Sequence, residues 1–213
     1  MNYKYIFFDV ANTLLGKPGL YPSIAKTLKE FGIKVSLDEL KERHKIVSEL
    51  VRFPDTTSRE FYEYFNSGLL YSLGIIPKRE IVTAIYQNCK DLPWEKFKDT
   101  VVLQKLKVPL GIISNWDITL ESKVRKKLDL NFKYITFSSK MGAQKPSSKL
   151  FRDAFSKANV PLRKILYVGD SIKLDVEPVL KIGAGAILID RENIFPYFEN
   201  RITSLQELLE INE

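Results

Sequence analysis

The chain has 213 residues, 45% of them hydrophobic and 28% charged, with a formal net charge of +7. That length suits one core with a modest insertion and is enough to bury it, and no apolar stretch approaches the ~20 residues that span a bilayer. Cys89 is the single cysteine, which excludes an internal disulfide. The first residues show no basic region followed by an apolar run, so a cytoplasmic protein without a membrane partner is expected. The positive charge reads as a lysine-rich solvated surface. Its densest cluster, Lys123, Arg125, Lys126 and Lys127, has helix-surface spacing and no interleaved aromatic rings for base stacking, so no nucleic-acid partner is expected.

Residues 3–9 form an apolar run ending in a carboxylate and predict a buried strand. Residues 20–90 predict helices only. Ile24, Leu28 and Phe31 recur at helical spacing, with Gly32 placed to end that helix. Ser36 with Glu39, and Thr57 with Glu60, have the spacing of capping boxes, opening helices to about residue 51 and about residue 73. Pro77 suits the start of a fourth helix running to about residue 89. The aromatic residues Phe61, Tyr62, Tyr64 and Phe65 read as the interior of this helical block, His44 as a surface residue and Cys89 as a small packed one.

After Pro93 strands alternate with helices. Strands are predicted over 108–114, 134–137, 164–169 and 186–190, and helices over 119–128, 147–159, 174–182 and 204–211. This alternation predicts βα units and a parallel sheet. The expected organisation is an α/β, doubly wound core of residues 1–16 and 90–213, with a smaller helical domain, 17–89, inserted after the first strand.

Asp9, Ser114 and Asp170 fall at the carboxyl ends of predicted strands, which share one edge in a parallel sheet. Carboxylates crowded there repel unless a cation sits among them, and an all-oxygen donor set suits Mg²⁺. Asp175 lies about one turn into the segment after Asp170 and can face the same edge, while Lys145 offers a point charge for an anionic group. The bland alternatives are a helix-terminal carboxylate for Asp175 and a solvated loop lysine for Lys145.

The ordered segments FFDVANTLL, IISN, KPSSKLF and VGDSIKLD, from Phe7 to Asp175, resemble the four motifs of the haloacid dehalogenase superfamily. The resemblance implies a Rossmann-like core with the first strand central and a small helical cap. It implies Asp9 as a nucleophile forming a covalent aspartyl intermediate, with Lys145 as its catalytic partner. Thr13, Ser114, Asn115 and Lys145 would form the substrate-binding set, with Thr13 steadying the loop after Asp9. Mg²⁺ would be held by Asp9, Asp170, Asp175 and the backbone carbonyl of Ala11. The substrate implied is a small phosphorylated metabolite.

Ala11 departs from the pattern. Phosphatases of the family carry there an aspartate that protonates the leaving alkoxide, a function typically worth about 10²–10⁴-fold. Asp117 is the candidate substitute, with a helix cap as its bland reading. Three alternatives stay open: an attenuated binding protein, a phosphonatase using a cap lysine (Lys26, Lys29, Lys41 or Lys45), and a metal-free dehalogenase. Against the last stand Asp170, Asp175 and Phe151, where those enzymes tend to carry tyrosine.

Overall fold

The computed structural model describes residues 3–51, 53–54 and 57–211. Its main sheet is built from β1 (Tyr5–Phe8), β4 (Leu110–Ser114), β5 (Phe132–Phe137), β6 (Ile165–Gly169), β7 (Gly185–Ile189) and β8 (Arg201–Ile202), in the order β5-β4-β1-β6-β7-β8. All neighbours pair in parallel. Two further strands, β2 (Leu15–Gly16) and β3 (Glu95–Lys96), form a two-stranded ribbon.

β1 sits in the middle, with Ile6 opposite Leu110 on one side and Leu166 on the other. Its four residues are all buried, as a central parallel strand covered on both faces requires. Phe7 stacks on Tyr5 at 4.5 Å and meets Phe155 at 5.1 Å. Gly111 is the space that lets β4 run beneath Phe7, since a Cβ there would lie 2.5 Å from the ring.

The helices are α1 (Leu20–Glu30), α2 (Leu37–Leu50), α3 (Arg59–Ser72), α4 (Arg79–Cys89), α5 (Leu120–Lys127), α6 (Ser138–Met141), α7 (Ser148–Ser156), α8 (Glu177–Lys181) and α9 (Leu208–Ile211). Two compact units result, Met1–Gly16 with Lys96–Glu213 and Lys17–Glu95. The return to the core thus falls at 95/96, where the sequence had suggested 89/90.

In the helical unit α1–α4 pack around Ile24, Leu28, Leu40, Leu69 and Ile85. Gly32, at φ 78°, ends α1 as expected, and the Ile33 N–H reaches back to the Leu28 carbonyl at 2.9 Å. Phe31 faces solvent, at 43% exposure, because the helix has already ended there. Ser36 caps α2, its hydroxyl accepting from the Glu39 N–H at 3.1 Å. The cap of α3 is Ser58 rather than Thr57, with its hydroxyl accepting from the Phe61 N–H. Pro77, expected at the start of α4, lies two residues before its first residue Arg79, and Lys78 takes the cap position. His44 is half-buried between the rings of Tyr21 and Phe65, at 5.4 and 4.9 Å, and so is part of the packing rather than of the surface. Residues 52, 55 and 56 of the expected helical block lie outside the described residues.

In the core unit the expected helix over 174–182 begins earlier, as a wide π-helical turn over Ile172–Val176 that leads into α8. The basic cluster lies on α5, which buries Leu120 and Val124, leaving Arg125 and Lys126 exposed. Among the described residues no helix is long and apolar enough to cross a membrane.

Candidate active site

Asp9 follows β1, Ser114 ends β4 and Asp170 follows β6. Since β4 and β6 flank β1 in parallel, these ends meet at one edge of the sheet. Lys145 reaches the same place from the loop between α6 and α7. Its Nζ donates to Asp9 Oδ1 at 2.7 Å and to Asp175 Oδ1 at 2.6 Å. The Ser114 hydroxyl donates to the same Asp9 oxygen at 2.8 Å. Asp9, Ser114, Lys145 and Asp175 are all buried. The solvated-loop reading of Lys145 and the helix-terminus reading of Asp175 are thereby replaced by a buried ionic cluster.

Asn115 holds the lysine loop. Its side-chain oxygen accepts from the Lys145 N–H at 2.7 Å and its amide nitrogen donates to the Lys145 carbonyl at 3.2 Å. Expected beside the substrate, Asn115 thus has both ends of its amide on backbone. Thr13 is held in the loop after Asp9 by its backbone. Its hydroxyl is buried with no partner, and the residue is tied down through its carbonyl, which accepts from Arg191 Nη2 at 2.7 Å.

The loop after Asp9 is tight. The Val10 carbonyl accepts from the N–H groups of Thr13, Leu14 and Leu15, and the Asn12 N–H donates to the Leu15 carbonyl at 2.7 Å. Asn12 sits at φ 56°, a left-handed conformation that asparagine tolerates better than most residues. Its side chain leans on Asp170, with Nδ2 3.5 Å from Oδ2. Ala11 bridges to Leu15 in this loop and brings only a methyl group, so it offers a carbonyl and no side-chain proton. Asp117, the candidate substitute, is engaged within its own turn. Its Oδ1 accepts from both the N–H and the hydroxyl of Thr119, the geometry of a turn before α5.

Asp9, Asp170 and Asp175 each place one oxygen within 4.8 Å of the others. Burial, and then the charges of Asp175 and Asp170, push the Asp9 carboxyl up to about 6 against the opposing pull of Lys145. Burial alone would lower Lys145, but Asp175 and Asp9 outweigh it and hold the ammonium above its usual range. Three carboxylates facing one ammonium leave negative charge to be balanced. An oxygen-only donor set with that charge fits a hard divalent cation such as Mg²⁺.

Two participants were not foreseen in the sequence. Tyr167, inside β6, accepts from Lys145 Nζ at 3.4 Å and lies 3.0 Å from Asp175 Oδ1 and 2.9 Å from the Ile113 carbonyl. Burial and the neighbouring carboxylates keep its hydroxyl protonated. A tyrosine in an otherwise apolar buried strand needs a partner for its hydroxyl, and that was the available signal. The other is Arg191, for which the sequence carries no motif. Gly169 has a steric role. A Cβ there would lie 2.4 Å from Asp175 Cγ.

The lysines considered for a Schiff base have other surroundings. Lys26 and Lys29 are exposed, while Lys41 and Lys45 lie near Asp38 and Glu49, at 3.8 and 3.0 Å. Burial pushes the Cys89 thiol up to about 11 beside the apolar cluster of the helical unit, consistent with a packing role.

The family profile of haloacid dehalogenase-like hydrolases matches residues 3–183. A glyceraldehyde 3-phosphate phosphatase of Methanothermobacter thermautotrophicus is 25% identical over 207 residues, covering 89% of this chain and 86% of that protein. Among solved structures, a HAD-hydrolase from Bacillus subtilis bound to magnesium superposes with a TM-score of 0.64 at 20% identity, covering 100% of this chain and 99% of the other. A HAD phosphatase from Thermococcus onnurineus gives 0.58 at 22% identity, covering 99% and 97%. At these identities the structural likeness speaks for the fold alone.

Proposed function

Because the chain belongs to the haloacid dehalogenase-like hydrolases, we propose that it is a Mg²⁺-dependent phosphatase of small phosphorylated metabolites that uses Asp9 as its nucleophile. The observation that carries this reading is the convergence of Ser114 and Lys145 on one oxygen of Asp9. Those bonds fix the plane of the carboxylate and leave Oδ2 as the oxygen that these two donors do not engage. The similarity to a glyceraldehyde 3-phosphate phosphatase makes a triose phosphate the first substrate to try. Substrate selection is assigned to the inserted helical unit, as the family resemblance implies.

In this mechanism an Asp9 oxygen attacks phosphorus and the bond to the leaving oxygen breaks. The leaving oxygen takes its proton from solvent, since Ala11 carries none. Water then attacks the phosphorus of the aspartyl phosphate, which releases inorganic phosphate and restores the Asp9 carboxylate. Lys145 and Ser114 hold the phosphoryl oxygens, and Tyr167 and Asp175 hold Lys145. Mg²⁺, held by Asp9, Asp170 and the Ala11 carbonyl with support from Asp175, would supply charge neutralisation of the phosphoryl group.

The test is hydrolysis of glyceraldehyde 3-phosphate, acetyl phosphate and p-nitrophenyl phosphate, with and without Mg²⁺, by the wild type and Asp9→Asn. Turnover that needs Mg²⁺ and falls by roughly 10³-fold or more in the variant is expected. Equal turnover by the two proteins would remove Asp9 from its role.

A further inference from the structure

Arg191 takes no part in the steps above, yet it grips the loop on which they depend. It follows β7 and is largely buried, with 16% of its side chain exposed. Nη2 donates to the Thr13 carbonyl at 2.7 Å and Nε to the Asn12 carbonyl at 3.3 Å. Nη1 donates to Asp99 Oδ2 at 2.8 Å, and the guanidinium lies 3.8 Å above the Phe97 ring. Asp99 is held in turn, its Oδ2 accepting from the Ser204 hydroxyl at 3.1 Å and the Leu205 N–H at 2.9 Å.

A planar fork held from behind by a ring and a carboxylate presents its donors in a fixed direction. Here that direction is toward two successive carbonyls. One belongs to Asn12, whose φ of 56° turns the chain sharply within the loop. The loop also carries Ala11, and it begins at Asp9. Anchoring Asp99 to the sheet needs no such grip on the loop. Pointing both carbonyls at Arg191 fixes the peptide planes on either side of Thr13; the preceding plane, which carries the Ala11 carbonyl, joins them through Asn12, whose N–H is held by the Leu15 carbonyl.

We propose that Arg191 is a positioning residue, which sets the peptide planes of the nucleophile loop and so presents the Ala11 carbonyl and Asp9 to the cation and the phosphoryl group. The proposal rests on the phosphatase reading for its consequence, while the grip on the loop is measurable without substrate.

Three variants separate positioning from stability. Arg191→Met keeps a stem over Phe97 and loses every donor. Arg191→Lys keeps the charge and a single donor nitrogen. Ser204→Ala removes one of the donors to Asp99 Oδ2 and leaves Arg191 and its bonds to the loop in place. For each, calorimetry measures Mg²⁺ affinity, hydrogen exchange follows the Asn12 and Leu15 amides, and kinetics on p-nitrophenyl phosphate give kcat and KM.

In Arg191→Met the affinity for Mg²⁺ and kcat are expected to fall by roughly 10–100-fold, the range for groups that orient metal ligands, with little change in KM and faster exchange in the loop. Arg191→Lys should recover part of each loss. Ser204→Ala should lower the melting temperature and leave Mg²⁺ affinity and loop exchange at wild-type values. An Arg191→Met protein with wild-type loop exchange and wild-type Mg²⁺ affinity would overturn the proposal. Should that variant not fold, the same result in Arg191→Lys would overturn it. If the wild type hydrolyses no phosphate ester, the phosphatase reading fails on its own, and exchange with calorimetry still decides the role of Arg191. If the wild type binds no Mg²⁺, unchanged exchange overturns the role and faster exchange supports it.

Discussion

The two units bury different chemistry. In the helical unit the interior is mainly apolar, and the buried Thr27 is paired with neutral groups: its hydroxyl donates to the Ser23 carbonyl and accepts from Asn88. In the core unit Asp9, Lys145 and Asp175 lie buried together at the ends of the strands. Burying charge is costly unless it is paired, and replacing a buried ion pair with apolar packing is often neutral or stabilising. The core therefore carries an expense that folding does not require, with side chains no more than 4% exposed, whereas the Lys45–Glu49 pair of the helical unit keeps 14% of each side chain in water. Function is the reason to look for at the first and packing the default at the second.

The strongest test of that contrast compares Lys145→Met with Leu69→Ala. Removing Lys145 leaves Asp9 and Asp175 buried without their ammonium, which should cost about 3–5 kcal/mol and abolish turnover. Added Mg²⁺ should recover part of the stability. Leu69→Ala opens a cavity worth about 2–5 kcal/mol, and Mg²⁺ should recover none of it beyond its effect on the wild type. Thermal melts with and without Mg²⁺ read both. Equal metal-dependent recovery in the two variants would erase the distinction.

A smaller effect should follow from completing the catalytic loop. Ala11→Asp supplies the missing proton donor, so hydrolysis of alkyl phosphates should rise by roughly 10-fold or more, within the usual range for a general acid. Acetyl phosphate, which leaves without such help, should gain little. A folded, Mg²⁺-binding Ala11→Asp protein with no gain on any alkyl phosphate would count against the phosphatase chemistry.

The smallest effect concerns pH. Asp9 attacks only as a carboxylate, and burial with the neighbouring charges pushes its carboxyl up to about 6. The rate should therefore fall as pH drops through that value, and at saturating Mg²⁺ the midpoint should move lower because a cation favours the ionised form. The effect on stability has the opposite sign. A carboxyl whose folded value is raised holds its proton more tightly when folded, so its contribution is present at low pH and lost as pH rises from about 4 through 6. Melting curves of the metal-free protein across that interval, compared with Asp9→Asn, would show whether this contribution exists.

Much of the core was readable because its signals are local. Apolar runs such as 165–169 mark strands, and a carboxylate at the end of a run marks a sheet edge. The helices α1, α2 and α4 were legible from spacing and punctuation, while α3 began at Ser58 because two adjacent hydroxyl residues could each serve as its cap. The short strands β2, β3 and β8 left no trace, since two residues define no period. In the site, Asp9, Ser114, Lys145, Asp170 and Asp175 stood out by position. Tyr167 was hidden by an apolar strand, and Arg191 by being an ordinary arginine after a strand. Its contacts to Asn12, Thr13 and Asp99 come from segments remote in sequence, which no spacing encodes.

Gly169 couples two positions as a matter of heredity. Its backbone is not in the left-handed region, so what it contributes is an absence of volume into which Asp175 fits. Neither position can drift alone. A side chain acquired at 169 would evict the carboxylate, and a larger acid at 175 would have no notch to enter. A lineage that lost this chemistry and was released from selection should lose the glycine and the aspartate together, which makes the pair a marker for descendants that have kept the reaction.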